Sequence, residues 1–424
     1  IFELLQSTAN LPTPKSTRDP GHPVDEEMWN SWFAEDGRPK VSAEVMRQEV
    51  FRRGLGSNNV LRRKVWPFLL GVQTWDTTEE ERGRHWEEKL EQYHDYKDQW
   101  FGNSEIFDRQ DVVEERHRID VDCRRTDRTQ PLFAGSPSSG TPSGSGDPEK
   151  EHHRRYSTIS PNANEIGAQS PSNEHIDRLA GILLTYNFYE KELGMQGYVQ
   201  GMSDLCAPMY VAMGTDEALT FWCFAQVMDR MKTNFLRDQS GMKKQLSTLQ
   251  QLIQVMDPEL YRHLEKTDGL NLFFCFRWIL IAFKREFPFD DVLRLWEVLW
   301  TDYYTNDFVL FVALAVLESH RDVIVRYLIE FDEILKYCNE LSMTIELDTT
   351  LAQAEVLFLS FVQLVADMDR RRVEEGGITS DGLRRRQRAH SRSGSGSGTA
   401  TSAVLTAIPE LSQDLKDLVT SRRA

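Results

Sequence analysis

The chain has 424 residues and a formal net charge of −16, from 66 Asp and Glu against 50 Lys and Arg. A chain this acidic is not expected to take nucleic-acid phosphate as its main partner, although the charge is compatible with one local basic site. The 5 cysteines are scattered without a C-x-x-C pair, and His and Cys do not cluster at metal-ligand spacing. These features favour free thiols in a reducing compartment and predict no metal site.

The first segment of the chain is marked by prolines. Residues 1–24 carry prolines among polar residues, which predicts a linker, and ordered sequence is predicted to begin at Asp25. No signal-peptide pattern is found at the start, and a first residue of Ile1 is compatible with a piece of a longer chain.

Helical periodicity dominates the rest of the sequence. It is found at residues 61–71 and 77–101, and it resumes at Ile176 after an interruption. Further apolar helices are predicted at residues 203–213, 216–231, 241–255, 270–284, 289–300, 306–319, 322–337 and 350–368. Strand-like alternation and hairpin dipeptides are scarce. The predicted fold class is therefore all-α.

The interruption at residues 134–173 is rich in Ser, Pro and Gly and poor in apolar side chains, which predicts a disordered insert. It contains the run Arg154-Arg155-Tyr156-Ser157, followed by Ser160-Pro161. We hypothesise that a phosphate in this run regulates access to the functional site. The alternative is an inert loop, because long loops cost little entropy.

The composition changes again towards the end of the chain. Residues 371–403 are basic and then Gly/Ser-rich, which predicts a linker whose arginines either contact anionic lipid or are simply solvated. Residues 404–424 are predicted to hold a short amphipathic helix. The longest apolar runs identified, residues 270–283 and 308–317, fall short of the roughly 20 residues that a membrane span requires. No transmembrane segment is predicted.

Two short motifs carry the chemistry. The first reads I-x-x-D-x-x-R-T and the second reads Y-x-Q between two glycines; they supply Ile119, Asp122, Arg125, Thr126, Gly197, Tyr198, Gln200 and Gly201. A guanidinium can neutralise charge that develops on a transferring phosphoryl group, and a side-chain amide can hold the attacking water in line. The pair predicts two groups suited to the nucleotide site of another protein.

Each residue of the first motif also has a plainer interpretation. Arg125 lies in a charged run that is compatible with a solvated helix face. Asp122 is three residues earlier, so it is expected either to hold the Arg125 guanidinium or to form an ordinary surface ion pair. Ile119 is expected to be a core anchor that fixes the segment.

The second motif is open to the same alternatives. Gln200 alone would be an ordinary loop residue, and Tyr198 would be a packing aromatic. Gly197 and Gly201 favour function because glycine permits unusual φ values and a close approach of the backbone to a partner.

Arg62 and Trp66 lie four residues apart on one predicted helix. A structural role is the simpler interpretation of Trp66, since a buried Trp removes a large area from water. Arg62 is left open between an internal ion pair and a contact near the partner.

Four blocks of the sequence, in this order, resemble the TBC domains, the Rab GTPase-activating proteins, over about residues 25–370 apart from the insert. The blocks are L-R…V-W…L-L-G at 61–71, I-x-x-D-x-x-R-T at 119–126, G-Y-V-Q-G-M at 197–202 and W…F…P-F…L-R-L-W at 278–296. Residues 29–37 and the run IDVDCRRTDRTQPLF are similar to the subgroup that acts on late-endosomal and vacuolar Rabs.

The resemblance implies an all-α, V-shaped domain that accelerates GTP hydrolysis by a Rab, with Arg125 as an arginine finger and Gln200 as a glutamine finger. The other motif residues, together with Arg62 and Trp66, would support the fingers or bind the Rab. The chain would need no cofactor of its own, because GTP and Mg²⁺ are bound by the Rab, and it would turn over no substrate independently. A cytoplasmic location is implied, with recruitment to endosomal or vacuolar membranes in vesicle trafficking and peripheral membrane contact.

Two departures from the family pattern are visible: the insert between the fingers is long, and Glu297 stands where the family often has Asp. The alternative function is a non-catalytic Rab-binding or scaffold module of the same fold. An α-helical scaffold unrelated to GTPases would have to explain both finger motifs as accidents.

Overall fold

The computed structural model describes residues 13–134, 152–153, 155–159, 173–192, 197–389 and 411–420, and between 371 and 389 it describes the backbone alone. Within these ranges the chain forms helices and two isolated β-bridges, Val24–Leu55 and Phe33–Pro39, without a strand. The all-α prediction is confirmed.

Before the insert, the described residues form helices α1 (Glu26–Ser31), α2 (Ala43–Arg53), α3 (Asn59–Leu70), α4 (Glu79–Asp98), α5 (Ser104–Phe107) and α6 (Gln110–Cys123). After it they form α7 (Glu174–Glu192), α8 (Met202–Ala212), α9 (Glu217–Met231), a 3₁₀ turn (Lys232–Phe235), α10 (Ser240–Met256), α11 (Pro258–Lys266), α12 (Phe273–Leu280), α13 (Phe289–Trp300), α14 (Phe308–Ser319), α15 (Arg321–Tyr327), α16 (Phe331–Glu340), α17 (Leu347–Ala389) and α18 (Gln413–Thr420).

Local sequence signals explain several helix ends. Thr78 and Glu81 form a reciprocal capping box at the start of α4. Asp257 accepts hydrogen bonds from the first backbone N–H groups of α11, which has proline at its first position. Gly71 ends α3 with a φ of +81°, which glycine adopts without strain.

Helices α6, α7 and α8 pack against one another and carry the two motifs. Ile119 on α6, Leu183 on α7 and Leu205 on α8 are buried in this layer. The first motif therefore ends a helix whose apolar side is fixed in the core, and the second motif immediately precedes another such helix.

One stretch, Leu347–Arg370 of α17, has the length and hydropathy of a membrane-spanning helix. In the structure α17 packs against α14, and its Leu351 and Phe361 are fully buried. Glu355 is also fully buried and accepts hydrogen bonds from the N-terminal segment. This stretch is a core helix of the domain, and it contains the apolar helix predicted at residues 350–368, which was not counted among the longest apolar runs.

The N-terminal segment is packed where a linker is predicted. Ser16 Oγ and Thr17 N donate to the Glu355 carboxylate at 2.6 and 2.8 Å. Val24 is fully buried and pairs with Leu55. The described part of this segment thus belongs to the domain and departs from the predicted linker, while residues 1–12 lie outside the described residues.

A short stretch of the predicted disordered insert is also packed. Tyr156 and Ile159 are buried, and Ser157 is hydrogen-bonded to Asp177 on α7. Apolar contacts and hydrogen bonds thus hold residues 155–159 on the domain, so these residues depart from the predicted disorder. Residues 135–151, 154 and 160–172 lie outside the described residues.

Two predicted helices are corrected, and five helices were not predicted: α1, α2, α5, α6 and α11. The helix predicted at 270–284 ends at Leu280. Ala282 and Phe283 have φ values of +45° and +59°, which are incompatible with a right-handed helix. The helix predicted at 322–337 is two helices, α15 and α16, separated at residues 328–330.

Two predictions concern the C-terminal part of the chain. Helix α17 continues to Ala389, into the segment predicted as a linker, and residues 390–403 lie outside the described residues. Helix α18 lies within the predicted amphipathic segment and packs against α10. Its buried residues are Leu415 and Leu418, with Leu411 buried just before it.

Candidate functional site

The first motif places two consecutive arginines in opposite environments. Helix α6 ends at Cys123, and the chain turns so that Arg125 N donates to Asp122 O at 3.0 Å. The Arg124 side chain points inward, where it is 1% exposed and its Nε donates to Asp120 at 2.6 Å. Arg125 is exposed. Of this pair, only Arg125 is accessible to a partner.

The Arg125 guanidinium makes no side-chain hydrogen bond or ion pair with any of the residues that the structure describes. The nearby Asp122 carboxylate feels its charge, because Arg125 favours the ionised form of that group. The side chain is therefore available for an external anion.

The second motif is a turn built on glycine. Gly197 has a φ of +83°, and a Cβ atom there would stand 2.3 Å from Asn187 Oδ1. That oxygen instead accepts a hydrogen bond of 3.0 Å from Tyr198 N. Gly201, with a φ of +97°, starts α8. Between these fixed points Gln200 is exposed.

Direct hydrogen bonds join the two motifs. Tyr198 Oη donates to Asp122 Oδ2 at 2.8 Å, and Thr126 Oγ1 shares a hydrogen bond of 3.1 Å with Ser203 Oγ. Tyr198 and Thr126 are buried, at 3% and 5% exposure. The turns that present Arg125 and Gln200 are therefore held together by buried contacts.

The electrostatics of this junction follow from its burial. Burial raises the pKa of Asp122, and the hydrogen bond from Tyr198 opposes that rise. Burial also raises the pKa of Tyr198 well above its usual range, with smaller contributions from Cys123 and Asp122. The prediction that Asp122 holds the Arg125 guanidinium is thus corrected: its carboxylate is bonded to Tyr198 and acts on Arg125 by charge alone.

Sequence reasoning missed two ion pairs that anchor the site to the loop after α12. Lys284 pairs with Asp127, which follows the arginine turn and has a φ of +48°. Arg285 pairs with Asp204 in the first turn of α8 at 2.8 Å. The adjacent Lys-Arg in the sequence was the available signal, but their acidic partners are distant in the chain.

A groove of about 460 Å³ adjoins Gln200. Its lining includes the apolar Val199, Leu236, Phe276 and Leu280 and the exposed Arg118 and Arg237. A groove that combines apolar and basic side chains next to Gln200 suits the docking of a folded partner that carries an anion.

Arg62 and Trp66 lie away from any accessible surface. Arg62 is 1% exposed, and its Nε donates to Glu297 Oε1 at 2.7 Å. Trp66 Nε1 donates to the same oxygen at 3.2 Å. Their grouping with partner-binding residues is corrected: both stabilise the core through Glu297. Ile119, as expected of a core anchor, is fully buried.

The fold and site together define an all-α domain that presents an arginine and a glutamine from two linked turns. Comparison with known proteins agrees with this class. The Rab-GTPase-TBC domain family matches residues 149–325, which include Gln200 but not Arg125. The chain belongs to the TBC domain family.

The similar proteins match over most of this chain. GTPase-activating protein GYP7 of Yarrowia lipolytica is 44% identical over 355 residues, 84% of this chain and 46% of that protein. TBC1 domain family member 17 of Homo sapiens is 38% identical over 359 residues, 84% of this chain and 48% of that protein. The chain thus spans about half the length of these relatives.

A solved structure shows the same fold. The crystal structure of the Ypt/Rab-GAP domain of Gyp1p superposes with a TM-score of 0.58 at 20% identity, covering 80% of this chain and 96% of that one. At this identity the likeness concerns the fold.

Proposed function

We propose that this domain accelerates GTP hydrolysis by a Rab-family small GTPase, supplying Arg125 and Gln200 in trans. The observation that carries the proposal is the pairing of two exposed side chains on turns that buried hydrogen bonds join, Tyr198 to Asp122 and Thr126 to Ser203. Such preorganisation matters because catalytic groups act only when held near the productive geometry.

Arg125 is assigned to the nucleotide phosphates. Its guanidinium is planar, always charged and able to donate several parallel hydrogen bonds, which fits the oxygens of a transferring phosphoryl group. Because no described side chain of the domain pairs with it, docking breaks no internal ion pair. The charge of Arg125 is thus fully available to the transition state.

Gln200 is assigned to the attacking water. A side-chain amide both donates and accepts hydrogen bonds, so it can hold a water in line with the phosphorus without taking its proton. The fixed turn from Gly197 to Gly201 limits the positions that the amide can reach. This role would replace the water-orienting glutamine of the GTPase itself.

The local charge also favours this partner. The chain as a whole carries a net charge of −16, and of the exposed arginines around the two turns Arg118 pairs with Glu115 and Arg285 with Asp204. Arg125 has no ion-pair partner among the described residues, so it offers a local positive charge that attracts a bound nucleotide.

The partner, on this proposal, brings GTP and Mg²⁺, and the chain needs no cofactor of its own. The relatives named GTPase-activating protein GYP7 support the activity. The resemblance of residues 29–37 and of the arginine motif to one subgroup points to late-endosomal or vacuolar Rabs, and so to a cytoplasmic protein recruited to those membranes.

The test is phosphate release from a panel of GTP-loaded Rabs, with late-endosomal and vacuolar ones included. We expect Arg125→Ala to remove about 10³-fold of the stimulation, since an arginine finger is worth that much or more. Arg125→Lys should recover little, because lysine lacks the planar donor fork. The matched control is Arg326→Ala, an exposed arginine that pairs with Asp322 on the same helix, α15.

The same assay distinguishes the alternative, a non-catalytic module, from the proposed activity. A Rab that binds without being stimulated would identify a scaffold module of the same fold. Stimulation that survives Arg125→Ala or Gln200→Ala would show that the domain uses other chemistry.

A further inference from the structure

A short strap, residues 155–159 with His152 and His153 before it, lies across the corner formed by α5 and the start of α7. Tyr156 is 9% exposed and packs edge-on against Phe107 with ring centroids 5.2 Å apart. Ile159 is 4% exposed. The two GTPase-directed turns do not use this strap, and the proposed activity does not explain it.

The polar centre of the strap is Ser157. Its Oγ donates to Asp177 Oδ1 at 2.7 Å and accepts from Ile159 N at 3.2 Å. The same Asp177 oxygen accepts from Thr158 N at 3.1 Å. One carboxylate on α7 thus holds two groups of the strap, and burial raises the pKa of that carboxyl against these hydrogen bonds.

We propose that Ser157 is a phosphorylation site for a basophilic serine/threonine kinase, and that the phosphate releases the strap from Asp177. The recognition signal lies in the sequence, where Arg154 and Arg155 stand three and two residues before the serine. Kinases read such charge patterns in short segments. The proposal is independent of the GTPase-activating function.

The strap is attached weakly enough for a kinase to reach it. It is short, and the Oγ1 of Thr158 is buried without a hydrogen-bond partner among the described residues. A buried hydroxyl left unpaired costs free energy and favours local opening. Arg155 is exposed and pairs with Asp108 at 2.5 Å across open surface, so this ion pair adds little.

A phosphate on Ser157 disfavours the docked position, chiefly because it is repelled by the Asp177 carboxylate. The γ-phosphoryl group of ATP is transferred to Ser157 Oγ: the bond from its phosphorus to the bridging oxygen breaks, ADP leaves, and the hydroxyl proton passes to the kinase's base. This removes the donor to Asp177 and adds close to two negative charges. The cavity beside the strap is lined by the carboxylates of Glu174, Asp177 and Glu217 against the cations Lys97 and Arg178. Those cations are already paired with Glu217 and Glu174. His153 also lines the cavity and its charge acts on Asp177, but no described ion pair neutralises the Asp177 carboxylate that the phosphate meets.

The first arm of the test treats the full chain with ATP and the catalytic subunit of protein kinase A, with a peptide containing RRYS as the positive control. Mass spectrometry should find one phosphate on Ser157. It should be absent from Ser157→Ala and unchanged in Ser160→Ala, the nearest other serine of the insert. An unmodified Ser157 in the chain while the peptide is modified would overturn the proposal.

The second arm measures hydrogen–deuterium exchange of the peptide that spans residues 152–159. Phosphorylation should speed exchange of the Thr158 and Ile159 amides by about tenfold or more, because both lose their acceptors. Exchange that stays unchanged or slows would show that the phosphorylated strap remains docked, against the proposal.

The variant Asp177→Asn removes the negative charge of residue 177 and keeps a side chain of the same shape. Its amide oxygen still accepts from Ser157 and Thr158, so the unmodified variant should exchange like the wild type. After phosphorylation it should keep most of its protection, since the repelling carboxylate is gone. Exchange as fast as in phosphorylated wild type would refute Asp177 as the cause of release.

Discussion

The hydroxyl of Tyr198 and the carboxylate of Asp122 are joined by a hydrogen bond of 2.8 Å across two turns that are distant in the sequence. Tyr198 is two residues before Gln200, and Asp122 is three residues before Arg125. Tyr198 is buried and Asp122 is half-buried, and this partial shielding from water strengthens the bond. The spacing between the two exposed side chains therefore depends on this contact.

Tyr198→Phe should reduce stimulation of GTP hydrolysis by about 3- to 10-fold, because a small misplacement of catalytic groups is costly. It should also lower the free energy of unfolding by about 1–3 kcal/mol, since Asp122 loses a buried partner. Single-turnover phosphate release and urea denaturation check the two effects. Tyr337→Phe is the control: its hydroxyl bonds His320 at 2.9 Å, on α16 and away from the turns. If both variants lower the rate equally, the Tyr198 bond has no special role.

Gly197→Ala should be more damaging than Gly201→Ala, although both residues have positive φ values of +83° and +97°. Each alanine costs about 1–2 kcal/mol of backbone strain. Only at Gly197 does the new Cβ overlap an atom, Asn187 Oδ1 at 2.3 Å, whereas at Gly201 the nearest atom is 3.6 Å away. The Gly197 variant should lose most of its stimulation, and the Gly201 variant should keep a measurable fraction. Equal losses would mean that strain, and not displacement of the turn, is responsible.

Most of the longer helices could be predicted from the sequence, and the two finger motifs could be singled out, because both are local patterns. Helical periodicity and short motifs are read within one segment, so Arg125 and Gln200 could be chosen before any packing was known.

What could not be predicted depends on contacts between distant segments. The Lys284–Asp127 pair and the hydrogen bonds from Ser16 and Thr17 to Glu355 join residues far apart in the chain. Composition predicts disorder or a linker in the N-terminal segment because it counts apolar residues. A single buried carboxylate with several donors is enough to fix such a segment, and composition carries no sign of it.

Glu297→Gln should destabilise the fold by about 3–5 kcal/mol, because it leaves the Arg62 guanidinium charged and buried. Burial raises the pKa of Glu297, and the charge of Arg62 opposes that rise, so the two groups are electrostatically coupled. Stimulation per folded molecule should not change, since neither side chain reaches the surface. Chemical denaturation and activity at low temperature check this. If Glu297→Gln lost activity without losing stability, Arg62 would have to be assigned to the partner-binding surface after all. Glu297→Asp keeps the charge on a shorter side chain, so its free energy of unfolding should lie between those of the wild type and Glu297→Gln.

Glu318 makes the fold sensitive to pH near neutrality. Burial, together with the charge of Asp257, raises the pKa of Glu318 to about 7. Burial also acts on Asp257, but hydrogen bonds from Arg321 and the backbone N–H of Leu260 lower its pKa overall, so the shared proton resides on Glu318. The folded state thus binds this proton more tightly than the unfolded chain. Its stabilising contribution is complete below pH 4.5 and is lost as the pH rises through 7.

Glu318→Gln should flatten the stability profile between pH 5 and 8, because the amide donates to Asp257 at every pH. The variant should be more stable than the wild type at pH 8, by about 1–2 kcal/mol, and equal to it near pH 5. Urea midpoints across this range measure the difference, with the exposed Glu340→Gln on α16 as the control. A wild-type profile that rises steadily from pH 5 to 8, in parallel with the Glu318 variant, would place the proton elsewhere.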